Sequence, residues 1–312
     1  MANLICGVDV SAATLDACVG RDGAYQRFDS DDGGIAALIA FCQAQRAELV
    51  VMEATGGYER RLFALLWAAG IPAAIVNPRA VRRFAEAMGR PEKTDRIDAG
   101  MIAWYAETKR ISAQQPASQT QQKLAACVTR LRQLTELRTC QTNQRRLITD
   151  PDVLASFAAL LAVTAEQIRQ FEAKIITLIK ADPLWQALDA EFRSIKGVAD
   201  RTIARLCAEL PEIGTIDSKA VAKLVGLAPI AHDSGASKGK RPVRGGRAGI
   251  RSTLFLVAEI VRRYDPDFAE FHRRLNAAGK PKKVTRVAVA HKLLTRLNAK
   301  ARDVRQKLTQ TA

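Results

Sequence analysis

Apolar residues recur along this chain in two rhythms, and the rhythm changes near residue 118. Leu4-Ile5-Cys6-Gly7-Val8-Asp9-Val10 is an almost unbroken apolar run of strand length, and Leu15 to Val19 is a second. Arg21-Asp22-Gly23 has the turn chemistry of a hairpin, with Tyr25 to Phe28 as the returning strand. Ile35, Leu38, Ile39 and Cys42 are spaced as on one face of a helix, predicted over Gly34 to Arg46. Leu49 to Met52 reads as a short strand ended by Glu53, Gly56-Gly57 as a break, Tyr58 to Ala69 as a helix, and Ile71 to Val76 as a strand closed by Asn77-Pro78. Helices are predicted near Ala80 to Met88 and from Asp95 through Lys109. A hairpin followed by alternating helices and strands indicates a mixed α/β sheet, in an order that suits an RNase-H-like domain.

From Ser118 to Ala181 the strand signal disappears. Leu124, Cys127, Leu131, Leu134 and Leu137 fall three or four apart, and the Gln/Arg-rich run Gln141 to Arg146 continues the helix. Asp150-Pro151 marks a break, and Val163-Thr164-Ala165-Glu166 reads as a cap for a helix from Ala165 to Lys180. The product is a helical hairpin, either a packing scaffold or a self-association arm, with heptad matches over two or three repeats. Ser194 to Ala204 contains Lys196-Gly197-Val198 between two helices and Arg201 just beyond. Such a turn can present backbone N–H groups to a phosphate, and it resembles a helix-hairpin-helix DNA-binding motif. Gly226 to Arg247 is a loop dense in Gly, Ser and basic residues, followed by a helix from Ile250 to Arg263. Its composition suits a flexible linker or a polyanion-binding loop in which Lys238, Lys240, Arg241, Arg244, Arg247 and Arg251 surround Ser234 and Ser237. The tail holds Lys280, Lys282 and Lys283 ahead of a helix from Val284 to about Leu308 whose basic face suits a phosphate backbone. The predicted organisation is residues 1–112, an α/β domain; 113–183, a helical hairpin or coiled-coil linker; and 184–312, a mainly α domain.

Charge sharpens this division. The 312 residues carry a formal charge of +16, yet residues 1–110 hold 13 Lys and Arg against 14 Asp and Glu, while 111–312 hold 35 against 18. An acid-bearing front and a basic back suit metal chemistry in one part and polyanion binding in the other. The six cysteines are scattered without Cys-x-x-Cys spacing and read as reduced core residues, and the three histidines form no ligand motif. No stretch of eighteen uncharged apolar residues and no secretory n-region is seen, so a cytoplasmic protein without a membrane partner is expected.

Candidate chemistry centres on Lys93-Thr94-Asp95-Arg96-Ile97-Asp98-Ala99, where two carboxylates three residues apart project from one helix face. Asp9 lies inside an apolar strand and Glu53 ends another. A carboxylate in such a setting requires a charged partner or a metal, so the four acids suggest one shared Mg²⁺ or Mn²⁺ site. Taken singly, each has a plainer reading: Asp95 as a helix-dipole charge, Asp98 as a partner of Arg96 or Arg90, Glu53 as a solvated strand end. No Walker-type loop is present, and no nucleotide cofactor is expected.

Asp9 in GVDVS, Glu53 in MEATGGYE, Asp95 and Asp98 in KTDRIDA, the GVADRTIA turn, and GLAPIAHDSGASKGKR followed by GGRAGIRSTLF resemble the IS one-ten family of bacterial insertion-sequence transposases, in order and over almost the whole chain. The resemblance implies a RuvC-like, RNase-H-fold domain with an Asp-Glu-Asp-Asp metal set, carried over to Asp9, Glu53, Asp95 and Asp98. It implies a coiled-coil connection to a C-terminal transposase domain with a nucleophilic serine, matched to Ser234 with Ser237 as second choice. It further implies donor and target DNA as substrates, a structured noncoding bridge RNA, a dimer or tetramer, and a place at the bacterial nucleoid. Because serine and acids fall in separate domains, the active site is expected to be assembled by docking.

Two other functions use the same residues. A metal-dependent, structure-specific nuclease of the Holliday-junction kind would need the acids and water but not Ser234. A non-catalytic nucleic-acid-binding protein would need neither.

Overall fold

The computed structural model describes residues 4–90, 92, 94–231, 233–234, 237–239 and 241–311. Two compact units divide between Ala117 and Ser118. Of the residues singled out above, Lys93 and Lys240, together with the side chains of Ser237 and Lys238, lie outside what is described.

In the first unit, β1 (Ile5–Val10), β2 (Thr14–Val19) and β3 (Tyr25–Asp29) are followed by α1 (Asp32–Ala44), β4 (Leu49–Glu53), α2 (Glu59–Ala68), β5 (Ala73–Val76), α3 (Pro78–Ala87) and α4 (Asp95–Lys109). The sheet order is β3-β2-β1-β4-β5. β1, β2 and β3 pair antiparallel, while β4 runs parallel to β1 and β5 parallel to β4. This is the mixed sheet that the hairpin-then-alternation pattern predicts.

Strand alternation divides the core into two layers. Cys6, Val8, Val10, Leu15, Val50 and Met52 face one layer with Ile35, Leu38 and Leu66 of α1 and α2. Ile5, Leu49 and Val51 face the other with Val81 and Phe84 of α3 and Met101, Ile102 and Ala106 of α4. Gly7 shares that second face, and α4 approaches it so closely that a Cβ there would lie 2.1 Å from the Ala99 carbonyl oxygen and 2.5 Å from the Ala103 nitrogen. The glycine in β1 is what lets α4 lie down on the sheet.

The second unit contains α5 (Gln119–Arg145), α6 (Pro151–Ala181), α7 (Pro183–Arg193), α8 (Asp200–Glu209), α9 (Ser218–Val225), two-residue strands β6 (Asp233–Ser234) and β7 (Ser237–Lys238), α10 (Ala248–Tyr264), α11 (Pro266–Ala277) and α12 (Lys282–Thr311). Asp-Pro starts three of these helices. Asp150, Asp182 and Asp265 each accept a backbone N–H of the first turn, with the proline next in line where no N–H is needed. One apolar core joins Leu124, Leu131 and Leu134 of α5 and Ile168, Ile175 and Ile179 of α6 to Phe192, Ile203, Leu254, Phe268, Leu293 and Leu297.

The predicted cap at Thr164 is not there: α6 runs unbroken through it. The Thr164 hydroxyl donates back to the Leu160 carbonyl (2.7 Å), the alternative that threonine takes inside a helix. α6 is also long and apolar enough to cross a membrane by length and composition, although the sequence reading finds no such segment. Only 11 % of its apolar window is buried, and Val153 (42 %), Leu160 (42 %) and Val163 (63 %) stay exposed along its first half.

Candidate active site and nucleic-acid interface

The sheet places acids side by side on the face that α4 covers. Asp9 follows Ile5 and Gly7 at every second position of β1, and Glu53 follows Leu49 and Val51 in β4. They stand one residue beyond the paired Val8 and Met52, on parallel neighbours about 4.8 Å apart. Asp9 pairs in register with Asp16 of β2, and Asp16 with Arg27 of β3. One transverse row therefore reads Arg27, Asp16, Asp9, Glu53.

Asp16 was not among the sequence candidates, although it breaks an apolar strand in the same way as Asp9. It is 3 % exposed. Its carboxylate accepts from the Arg27 Nε (2.8 Å) and the Tyr25 hydroxyl (2.5 Å). That hydrogen bond pushes the Tyr25 phenol above its ordinary value, and the same carboxylate holds the Arg27 guanidinium further above its own. Arg27 then reaches with Nη2 to the Asp95 carboxylate on α4.

Thr94 caps α4 through the Ile97 N–H (3.3 Å), which sets Asp95 and Asp98 in its first turn. Glu53 is followed by a loop held by the buried Glu59, which accepts the N–H groups of Thr55 (3.0 Å) and Gly57 (2.9 Å). Carboxylate oxygens are the hard donors that Mg²⁺ and Mn²⁺ take, so the donor set fits such an ion in kind. In arrangement, no three His, Cys, Asp or Glu side chains among the described residues converge to hold a metal, and Asp95 is engaged by Arg27.

In the second unit, Ser234 is exposed on a β6–β7 pairing that sets it opposite Ser237. The base of this loop is tied twice, by the Ile230 N–H to the Pro242 carbonyl (3.1 Å) and by the Arg247 N–H to the Leu224 carbonyl (2.9 Å). Several predicted phosphate ligands have work inside the unit. Arg247 grips Glu212 with both terminal nitrogens at 2.5 Å, Arg251 donates to the Gly245 carbonyl, and Arg201 pairs with Glu172 at 2.7 Å. Gly197 adopts φ +103°, and a Cβ there would meet Ile260 and Val261 of α10 at 3.0 and 3.2 Å, so the turn serves packing as well. Arg241 and Arg244 also have partners within the chain. Lys196, Lys280, Lys282 and Lys283 are exposed.

Lys282 and Lys283 line a cleft of ≈ 590 Å³ with Phe255, Arg262, His272 and Arg286. Arg286 is pre-set there, its Nε donating to the Phe255 carbonyl (2.7 Å) and its guanidinium 4.1 Å above the Phe255 ring. The arginines of this cleft escaped the sequence reading because α10 and α12 bring them together from 24 residues apart.

Residues 6–149 match the family model described as "Transposase", and residues 189–273 match "Transposase IS116/IS110/IS902 family". The chain is 29 % identical over 314 residues to the pilin gene-inverting proteins of Moraxella lacunata and Moraxella bovis, covering 95 % of itself and 94 % of each relative. It is 32 % identical over 153 residues to the insertion element IS110 uncharacterized 43.6 kDa protein of Streptomyces coelicolor, covering 48 % of this chain and 37 % of that one. A solved Thermus thermophilus RuvC covers 35 % of this chain and 98 % of its own at 16 % identity and a TM-score of 0.27, a likeness too weak to weigh on the fold. The class is that of the transposases and related DNA recombinases. The chain belongs to the IS110 family of transposases.

Proposed function

We propose that this protein excises and inserts DNA by serine-nucleophile strand cleavage and exchange, using Asp9, Glu53, Asp95 and Asp98 as a divalent-metal site on an RNase-H-like domain. The observation that carries the reading is the acidic row, in which Asp9 and Glu53 stand side by side on adjacent strands beneath the helix bearing Asp95 and Asp98. Asp9, Glu53, Asp95 and Asp98 would hold a Mg²⁺ or Mn²⁺ ion, which when bound would supply Lewis-acid polarisation of the scissile phosphodiester.

Ser234 is the nucleophile, with Ser237 opposite it as the alternative. The serine oxygen bonds to phosphorus while the bond to the 3′ oxygen breaks, and the serine proton goes to solvent or base as the 3′ hydroxyl forms. The phosphoserine on the 5′ end keeps the ester for re-ligation to a new 3′ hydroxyl, so strand exchange needs no nucleotide hydrolysis. Serine and acids belong to different units, so the reacting complex has to bring both to one phosphate. Lys196, Lys280, Lys282, Lys283 and the loop residues Lys238, Lys240, Arg241 and Arg244 are assigned to phosphate contacts, which position without reading sequence.

A family bridge RNA would supply the choice of donor and target, as pairing does in other RNA-guided systems. The exposed apolar stripe of α6 supports self-association of the chain. The work is placed in the bacterial cytoplasm, at the nucleoid.

The experiment is adduct trapping: incubate the full chain with donor DNA and Mg²⁺, separate on a denaturing gel, and map the modified residue by mass spectrometry. An adduct at Ser234 that disappears in Ser234→Ala and in Asp9→Asn supports the reading. Cleavage that persists in Ser234→Ala without any adduct indicates the nuclease instead.

A further inference from the structure

We propose that Arg21, Arg90 and Arg96 form a seat for a backbone phosphate of the nucleic acid, on the same unit as the acidic row. This rests on the reading of the protein as nucleic-acid-acting and adds a site to it. Arg21 follows β2 in the hairpin turn, Arg90 follows α3, and Arg96 lies in the first turn of α4. With Asp22, Ile97 and Met101 they line a single cavity of ≈ 80 Å³.

Three guanidinium groups around one cavity repel each other unless an anion sits among them. The wall supplies one carboxylate, Asp22, which is 80 % exposed and pairs with Arg21 at 3.4 Å. Among the described residues, Arg90 and Arg96 have no ion-pair partner. General basicity does not explain the cluster, since residues 1–110 carry slightly more acidic than basic side chains.

Two of the three are also pre-set. The Arg21 guanidinium lies 3.8 Å from the Trp104 ring centroid and that of Arg96 lies 5.6 Å from Tyr25. A guanidinium laid on a ring keeps its N–H edge for the paired oxygens of a phosphate, at less entropic cost than a free side chain. Arg96 directly follows Asp95 in the first turn of α4, so the seat is carried by the same helix as two of the acids, on a different face of it.

The test uses the full chain as Arg90→Gln/Arg96→Gln, with Arg90→Lys/Arg96→Lys as the charge-keeping control and thermal melting to confirm folding. Binding to a DNA duplex, a DNA single strand and a structured RNA is measured across a salt series, and inorganic phosphate is titrated as a competitor. Loss of one phosphate contact lowers the slope of log affinity on log salt by about 0.7 to 0.9 in the Gln pair and leaves it intact in the Lys pair. The polymer whose slope falls is the occupant; if none falls but free phosphate protects the parent and not the Gln pair from melting, the seat takes a free anion. Slopes and phosphate protection equal to the parent's with every probe overturn the proposal. Neither readout needs cleavage, so a chain that binds but never cuts would sink the catalytic reading and leave this one standing.

Discussion

Arg27 holds Asp16 at 2.8 Å with Nε and reaches Asp95 with Nη2, joining a buried strand carboxylate to the first residue of α4. Arg27 is a positioning residue in this arrangement, because it acts on the acid that the proposed chemistry uses. Arg27→Gln frees Asp95 and removes a positive charge beside the acids, so it is expected to lower the Mn²⁺ concentration needed for cleavage while leaving nucleic-acid affinity near the parent's, with Arg27→Lys closer to the parent. Cleavage titrated with Mn²⁺, beside binding by fluorescence anisotropy, checks both.

The hydroxyl of Tyr25 supplies the second donor to Asp16 at 2.5 Å. Tyr25→Phe removes it and keeps the ring, which is expected to cost about 1 kcal/mol, the figure for a hydrogen bond to charge reduced for partial exposure. Urea unfolding followed by tryptophan fluorescence measures it; an unchanged midpoint contradicts the expectation.

Gly7→Ala drives a methyl group into the backbone of α4 at Ala99 and Ala103, neither of which can turn aside. A destabilisation of about 1–3 kcal/mol is expected from overpacking. Cleavage should fall with it, because α4 carries Asp95 and Asp98. Nucleic-acid binding through Lys282 and Lys283 should survive. The pair of assays separates a displaced helix from a collapsed protein.

Glu259 is held down to about 2 by hydrogen bonds from Arg262 and Arg263 at its side. A carboxyl depressed in the folded state adds stability above its ordinary 4.5 and loses it as pH falls toward about 2. Its carboxylate is partly exposed, so the contribution is modest. Glu259→Gln should flatten the decline of melting temperature across that window and change little at pH 7.

Cys140 is the exposed thiol among the six, while burial pushes Cys207 up to about 12. One maleimide per native chain is expected near neutral pH and six after unfolding, read by intact mass. Because Cys140 sits exposed on α5, which packs along α6, protection of this thiol at high protein concentration, relieved by Leu160→Glu, would report self-association of the arm.

The sheet was legible because its strands are short apolar runs with turn chemistry between them, and Asp-Gly and Asn-Pro fell where the chain turns. Asp9 could be picked out as a charge in such a run; Asp16 satisfied the same test, yet the strand containing it was read only for its apolar members. The helices α9 and α11 escaped because their buried faces are narrow: α11 buries Phe268 alone among its residues. Arg201, Arg247 and Arg251 looked like phosphate ligands from composition, and their ion pairs and carbonyl contacts come from residues such as Glu172 and Glu212 that no local pattern announces. Which acids stand side by side depends on strand order, a long-range property.

The alternation that puts Gly7 and Asp9 under α4 also makes the chain sensitive to parity. Deleting Val8 would turn Asp9 through the sheet into the oily layer of Cys6, Val50 and Met52, whereas removing two residues of β1 ahead of Asp9 would shorten the strand and return the carboxylate to its own side. Homologous chains that keep this function should therefore differ in length ahead of Asp9 by even numbers within the strand, with odd changes confined to its ends.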